Sequence, residues 1–92
     1  MENVNLSGAN LSGANLGRAN MADSNLTGAN LTDADLGGVH LGRSNLTDVD
    51  LTGANLENTN LKDADVSGVV WDQARLCETI MPDGKNNFSD CL

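Results

Sequence analysis

The chain has 92 residues with 13 acidic and 5 basic side chains, a net charge of −8, which disfavours direct binding to nucleic acid or to an anionic membrane surface. Its length fits one domain, and with one Trp, one Phe and no Tyr the core must be built from small, uniform apolar side chains. No apolar run approaches the roughly 20 residues of a membrane span, so membrane insertion is not expected, and the start at Met1-Glu2-Asn3 shows no signal peptide.

From near its first residue, the chain repeats an apolar side chain every five positions. This register predicts a structural core of sixteen residues: Leu6, Leu11, Leu16, Met21, Leu26, Leu31, Leu36, Leu41, Leu46, Leu51, Leu56, Leu61, Val66, Trp71, Leu76 and Met81. In a helix, steps of five residues would carry the leucines round every side. In one continuous strand, the odd spacing would alternate them between faces. Neither a helix nor a single strand can bury all of these apolar side chains on one face, so the repeat itself dictates the fold.

Most repeats read Ala-Asn-Leu followed by two turn-forming residues, as in Ala9-Asn10-Leu11-Ser12-Gly13. In an extended Ala-Asn-Leu segment, Ala and Leu point to one side and Asn to the other. The two following residues are Ser, Thr, Asp, Asn or Gly, which favour tight turns. The pattern therefore predicts a coil with Ala and Leu inside and Asn outside, whose successive turns pair as parallel ladders about 4.8 Å apart.

This A(D/N)LXX pattern over residues 4–81 resembles the pentapeptide repeat family. The resemblance implies an all-β fold, a right-handed quadrilateral parallel β-helix of about four coils with four pentapeptides each. Residues 20 apart would then stack. It also implies a repeat domain at residues 1–81, followed by a short C-terminal capping segment at residues 82–92.

The register weakens near the C-terminus, where Val70, Arg75 and Ile80 replace the outward Asn or Asp and Pro82-Asp83-Gly84 signals a turn. We expect Phe88 to fold over the last coil, because a solenoid must cover its apolar ends. The stretch 76–84 also resembles the C-terminal ends of short cyanobacterial and chloroplast-lumen members of the family. The N-terminal coil has no comparable cover, so both a monomer and an end-to-end dimer through that coil are consistent with the sequence.

Two cysteines, Cys77 and Cys91, both lie in the terminal region. A disulfide between them would fasten the cap to the last coil and stabilise by roughly 3 kcal/mol. The alternative is a pair of reduced thiols in a cytoplasmic protein. A bridge would favour the thylakoid lumen or periplasm, and reduced thiols the cytoplasm.

No residue set predicts catalysis, a cofactor or a metal site. His40 lies at an outward, solvent-exposed position without a Ser or Cys partner for a triad. Six acidic residues could suggest a calcium site, but they lack the nine-residue period of calcium-binding repeats. They are expected to be turn formers and solvent-exposed residues of the wall: Asp33, Asp35, Asp48, Asp50, Asp63 and Asp65. In the column Asp23-Arg43-Asp63-Asp83, Arg43 lies between two carboxylates and is expected to form a surface ion pair.

The sequence therefore predicts a non-enzymatic structural or protein-interaction module with an unidentified protein partner, which is basic if charge drives the binding. One alternative, implied by the resemblance, is mimicry of DNA toward a DNA-binding protein such as gyrase, although the rod is short. A second alternative is an ice-binding or water-ordering surface, from stacked hydroxyl columns such as Ser7-Thr27-Thr47-Ser67.

Overall fold

The chain winds into a stack of square coils, seen in a computed structural model that describes residues 2–89 and 91. Each side of a coil is a short extended segment and each corner is a two-residue turn. Twelve parallel bridges join the outward residue of each side to the residue 20 positions later, from Asn5↔Asn25 to Asn60↔Ile80. This offset confirms that four pentapeptides complete one coil, and no helix occurs among the described residues.

Most corners are closed by a hydrogen bond from the residue after the turn to the carbonyl of the central apolar residue, as from Ala9 N–H to Leu6 C=O at 3.0 Å. The second turn residue has a positive φ, between 54° and 72°, at all sixteen such positions from Asn3 to Glu78. This is the geometry of a type II turn, which favours Gly and Asn at that place. The turn type therefore explains the Gly, Asn and Asp that recur just before each small inward residue.

The core is a continuous stack along the axis of the coil. Its middle members are at most 1% exposed, and they are Met21, Leu26, Leu31, Leu36, Leu41, Leu46, Leu51, Leu56 and Leu61. The ends are only half-buried, at Leu6, Leu11 and Leu16 in the first coil and at Val66, Trp71, Leu76 and Met81 in the last. Burial therefore depends on having a coil on both sides.

Four inward positions carry hydroxyl groups inside this core: Ser24, Ser44, Thr59 and Thr79. Thr59 donates to Leu36 C=O and Thr79 to Leu56 C=O, both at 2.6 Å. Ser44 likewise donates to Met21 C=O at 2.9 Å, so these three hydroxyls bond to the turn of the preceding coil. Buried side-chain donors and acceptors all have partners among the described residues, so these polar groups are held at little cost.

The C-terminal segment turns back on the last coil. The only continuous strands of the described chain are β1, Thr79–Ile80, and β2, Asn86–Asn87, which pair antiparallel with Thr79 opposite Asn87. A disulfide joins Cys77 to Cys91, with 4.9 Å between their Cα atoms.

The expectation that Phe88 folds over the last coil is wrong, because its side chain is 55% exposed. The physical reason is that β2 pairs along β1 and so extends one wall instead of crossing the end of the stack. Residues 82–92 remain a proposed cap, and Asp90 and Leu92 lie outside the described residues.

Candidate functional site

Four polar walls form the outside of the coil stack. Each outward residue from Asn5 to Asp65 accepts a hydrogen bond from the backbone N–H two positions later, for example Ser7 N–H to Asn5 Oδ1 at 3.1 Å. The same bond recurs at every fifth residue up to Ser67 N–H to Asp65 Oδ1 at 3.0 Å. These are Asx turns, in which a side-chain oxygen fixes the following corner. Most outward Asn and Asp residues therefore have a structural role.

His40 takes the same role as the asparagines in its column. Its Nδ1 accepts the Gly42 N–H at 3.1 Å. The ring is half-buried instead of solvent-exposed, because it packs over Gly42, where an added Cβ would meet the ring carbon Cε1 at 2.7 Å. With Nδ1 occupied and Gly42 beneath the ring, His40 is a turn-forming residue.

The six acidic residues considered for calcium divide into two structural classes. Asp33, Asp48 and Asp63 occupy the positive-φ corner position, and Asp35, Asp50 and Asp65 occupy outward wall positions. No group of three or more His, Cys, Asp or Glu side chains among residues 2–89 and 91 has the arrangement to hold a metal ion.

Hydrogen bonds lower the pKa of two wall carboxylates. The Thr52 hydroxyl, at 2.6 Å, and the Thr52 N–H hold the pKa of Asp50 below its ordinary value. The Ser67 hydroxyl, at 2.7 Å, and the Ser67 N–H do the same for Asp65. Both carboxylates are therefore held in their charged form on the wall surface.

Most hydroxyl groups of the columns that suggested water ordering are engaged in the same turns. The Thr27 hydroxyl donates to Asn25 Oδ1 at 2.7 Å, and the Thr47 hydroxyl donates to Asn45 Oδ1 at 2.6 Å. Their hydrogens therefore point back to the protein wall, and only the oxygen lone pairs remain to accept from water.

Two ion pairs lie on the surface formed by residues 2–89 and 91. Arg43 contacts Asp23 through two parallel hydrogen bonds of 2.8 and 3.0 Å, which lower the pKa of Asp23. Arg75, which replaces an outward Asn, contacts Glu57 at 3.2 Å. Arg43 thus pairs with one of the two carboxylates next to it in its column, and Arg75 makes a diagonal contact that the columns did not predict.

An open groove of about 470 Å³ lies along one corner of the stack. We call it the glycine groove. Its lining residues are Gly17, Arg18, Asp35, Gly37, Gly38, Asn55, Glu57 and Asn58. Three glycines at neighbouring corner positions of the first two coils leave a notch in the rod. The sequence carries this signal, because Gly17 and Gly37 are 20 residues apart and so stack.

The glycine groove has a charge gradient along the stack. Arg18 lies beside Gly38, where an added Cβ would be 3.2 Å from the Arg18 Cγ atom. Asp35 lies in the middle, where its Oδ1 accepts from Gly37 N–H at 2.9 Å and from Asn55 Nδ2 at 3.3 Å. Glu57, paired with Arg75, lies one coil further on. Asp35 is therefore the carboxylate of the groove with no paired cation among the described residues.

Comparison with known proteins agrees with the geometry. The family model described as "Pentapeptide repeats" matches eight copies over residues 1–38 and 29–68. The solved structure of HetL, a pentapeptide repeat protein involved in heterocyst differentiation regulation from the cyanobacterium Nostoc sp. strain PCC 7120, is similar at 35% identity over 94% of this chain, with a TM-score of 0.59. Rfr23 from the cyanobacterium Cyanothece 51142 is similar at 40% identity over 78% of this chain, with a TM-score of 0.61.

A third similar structure, the plasmid-mediated fluoroquinolone resistance protein QnrB1, shares 22% identity over 86% of this chain and 54% of its own, with a TM-score of 0.52, which shows a common fold alone. Pentapeptide repeat proteins form right-handed quadrilateral β-helices, as this chain does. The chain spans 42% of the length of HetL and 46% of that of Rfr23. None of the curated proteins matches the sequence. The described residues include no helix long and apolar enough to cross a membrane.

Proposed function

The chain belongs to the pentapeptide repeat family, and we propose that it acts as a rigid, non-enzymatic module that binds a basic protein partner at the glycine groove. Proteins of this family are generally structural or interaction modules. The observation that carries the proposal is an open groove on a rigid wall with the carboxylate of Asp35 at its centre. A Lys or Arg side chain from the partner would lie over Gly37, beside the Asp35 carboxylate.

Charge supports a basic partner. The protein carries a net charge of −8, which attracts a basic surface before contact. The Asx turn at Gly37 holds the Asp35 carboxylate in place, so little side-chain entropy is lost when a cation binds. A fixed carboxylate beside an open space is a suitable acceptor for an ammonium or guanidinium group.

A groove-filling substitution tests this proposal. Gly37 is a first-turn residue outside the set with positive φ, and the equivalent positions hold Thr32 and Thr52. Gly37→Thr should therefore fill the groove without changing the backbone. Binding to a panel of fluorescent Lys- and Arg-containing peptides, followed by anisotropy, should weaken about tenfold. Ser7→Thr places the same threonine side chain at another corner and should leave binding unchanged.

A charge substitution separates electrostatics from shape. Asp35→Asn keeps the turn, because Asn15 in the same column accepts the equivalent bond from Gly17 N–H at 3.1 Å. We expect it to weaken binding at low salt and to reduce the salt dependence of the affinity. Asp50→Asn, which removes one charge from another wall, is the matched control. Peptide binding that is equal in Gly37→Thr and the unaltered protein would contradict the groove as the docking site.

DNA mimicry is a second candidate, favoured by the rod shape, 33 × 23 × 23 Å, and the acidic walls. Charge density ranks it lower, since about 33 Å of duplex carries roughly 19 phosphate charges, against the net −8 of the whole chain. Protection of gyrase supercoiling activity from a fluoroquinolone by the purified protein would support it. Ice binding ranks below both, because the hydroxyl hydrogens bond to the walls, and a thermal hysteresis measurement tests it.

The disulfide supports a location in an oxidising compartment. Because cytosolic reductants keep most thiols reduced, the bridge between Cys77 and Cys91 favours a thylakoid lumen or periplasm. Alkylation of native extracts of cells that contain the protein, before and after reduction, measures the bridged fraction. A fully alkylated protein without reductant would place it in the cytoplasm.

A further inference from the structure

Arg18 is the only cation among the described residues that line the glycine groove. It occupies the second turn position of its corner, with a φ of 64°. Its side chain leans toward the following coil and lies over Gly38, where an added Cβ would be 3.2 Å from the Arg18 Cγ atom. The missing side chain of Gly38 therefore leaves the space in which the Arg18 stem lies along the groove.

The same lean recurs at two other corners of the rod. Asp33 lies over Gly53 and Asp48 lies over Gly68, each with a carboxylate oxygen nearest to the position of an added Cβ. In all three pairs, glycine follows the charged corner residue 20 positions later. The direction of the Arg18 side chain is therefore set by the corner geometry and by the glycine that stacks on it.

The groove holds two opposite charges that do not pair. Neither of the ion pairs formed by residues 2–89 and 91 includes Arg18 or Asp35. Asp35 Oδ1 accepts from Gly37 N–H at 2.9 Å and from Asn55 Nδ2 at 3.3 Å, while its Oδ2 accepts no hydrogen bond within the described part of the chain. One guanidinium and one carboxylate oxygen thus remain available to a ligand.

A floor of two glycines separates these charges. Gly37 lies beside Asp35, whose Oδ1 would be 3.2 Å from an added Cβ, and Gly38 lies beneath Arg18. The Cα atoms of adjacent residues are about 3.8 Å apart, so the charged groups stand on the two sides of a short, bare stretch of backbone. Opposite charges held in this way are complementary to a ligand that carries both signs.

We propose, as a step that rests on the proposed function, that the groove recognises a basic and an acidic side chain of one partner segment, the basic one at Asp35 and the acidic one at Arg18. Side chains at positions i and i+2 of an extended segment share a face and are about 7 Å apart. A basic and an acidic residue separated by one residue therefore fit the groove. Glu57, one coil beyond Asp35, repels the acidic residue and so orients the segment with that residue toward Arg18.

The openness of the groove favours a protein segment over a small zwitterion. Sites for small molecules enclose most of the surface of their ligand. This groove instead lies along one corner of the rod and is open to solvent. A protein segment can continue past the groove and make further contacts with the walls on both sides, which a free amino acid cannot do.

Three peptides of identical composition test the proposal on the intact, oxidised chain. Each has one Lys and one Glu among alanines and serines, in the order Lys-Ala-Glu, in the order Glu-Ala-Lys, or with the two charges at opposite ends. Equal composition gives the three peptides the same long-range attraction to the acidic rod. In an NMR titration followed at the amides of Gly37 and Gly38, one of the adjacent orders should bind about two- to fivefold more tightly than the separated peptide, the range of an exposed charge pair.

Charge variants assign this preference to Arg18. Arg18→Gln should abolish it, and Arg18→Lys, which keeps the charge, should retain it. Arg43→Gln is the matched control, because it removes the same charge from another corner residue with a similar φ, 60°, and should keep the preference. Thermal unfolding confirms that each variant folds. A preference that Arg18→Gln and Arg43→Gln reduce equally would overturn the proposal.

The titration separates this proposal from the proposed function. Adjacent and separated peptides that bind the unaltered protein equally at Gly37 would overturn the charge-pair proposal and leave the basic partner standing. No shift at Gly37 with any of the peptides would overturn both. Displacement of the peptides by millimolar glycine would show that the groove takes small zwitterions, which would overturn recognition of a protein segment.

Discussion

At the scale of single residues, the corner geometry ranks the side chains that each position can hold. The second turn residue has a positive φ, which costs roughly 1–2 kcal/mol for a residue with a Cβ and less for Asn or Asp. Gly occupies six of these sixteen positions, while Arg18, Arg43, Gln73 and Glu78 bear the strain without a short polar side chain. The departures from the repeat are therefore sites where stability can be gained.

Gln73→Asn should stabilise the protein by about 0.5 kcal/mol, because Asn tolerates a φ of 57° better than Gln and Gln73 is exposed. Gln73→Val should destabilise by about 1–2 kcal/mol, because a branched Cβ is disfavoured there. Thermal unfolding followed by circular dichroism measures both. Asp72→Asn, at the preceding corner residue, is the control and should change little. Equal stability of the Asn and Val variants would show that the turn is not strained.

Asp50 makes part of the stability depend on pH. Hydrogen bonds from Thr52 lower its pKa in the folded protein, so its contribution is present above the unfolded pKa of about 3.9 and is lost as pH falls through the folded value. Asp50→Asn should remove this acid-dependent loss. Asn30, in the same column, accepts the equivalent bonds from Thr32 at 3.0 and 2.8 Å.

Urea unfolding between pH 2 and 6 measures the effect. The curve of Asp50→Asn should be flatter than that of the unaltered protein below about pH 4. Asp33→Asn is the control, because Asp33 lies at a corner and lacks the Thr52-type bonds. An Asp50→Asn curve that falls as steeply as that of the unaltered protein would show that the Thr52 bonds do not favour the charged form.

At the scale of the coil, burial depends on neighbours above and below. Leu6 and Leu46 belong to one column and have the same repeat environment, but Leu6 is half-buried and Leu46 is 1% exposed. A coil thus has no core of its own, and its stability comes from the interface with the next coil. Nearest-neighbour stacking predicts that the same substitution costs more in the middle than at the end.

Leu46→Ala should cost about 2–5 kcal/mol and Leu6→Ala clearly less, because only the first leaves an enclosed cavity. Leu46→Lys should prevent folding, since it places an unpaired charge between two coils. Denaturant unfolding compares the two alanine variants, and circular dichroism with light scattering reports the state of the lysine variant. Equal losses for Leu6→Ala and Leu46→Ala, or a cooperative transition unchanged in Leu46→Lys, would refute the stacked core.

The whole molecule could be predicted in part from its sequence. The five-residue period assigned inward and outward positions, because only one alternation of sides and corners buries the leucines. The number of sides and the handedness of the coil could be predicted only from the family resemblance, since a five-residue spacing does not determine the angle by which the chain turns at each corner. The glycine groove follows from the stacking of Gly17 on Gly37, but the diagonal pair of Arg75 with Glu57 depends on side-chain reach. Phe88 was assigned wrongly because hydrophobicity does not distinguish a path across the end from a path along the rim.

The disulfide is the one covalent tie in the molecule, and it acts on the C-terminal end. Cys77 and Cys91 are 14 residues apart, and closing a loop of that size stabilises by about 3 kcal/mol in the chain-entropy model. Reduction should release the segment that contains β2, while the coils before Cys77 keep their parallel pairing, because none of those bonds involves the cap except at Asp63, which donates to Pro82 C=O at 2.9 Å.

Amide hydrogen exchange with and without reductant measures this effect. Protection should fall at Met81, whose N–H bonds to Lys85 C=O, and at Gly84, whose N–H bonds to Met81 C=O, while Leu26 and Leu31 in the second coil stay protected. Cys91→Ser should reproduce the reduced protein and no longer respond to reductant. Loss of protection throughout the coils on reduction would mean that the bridge holds the whole rod, since unfolding would then spread from the last coil to the first.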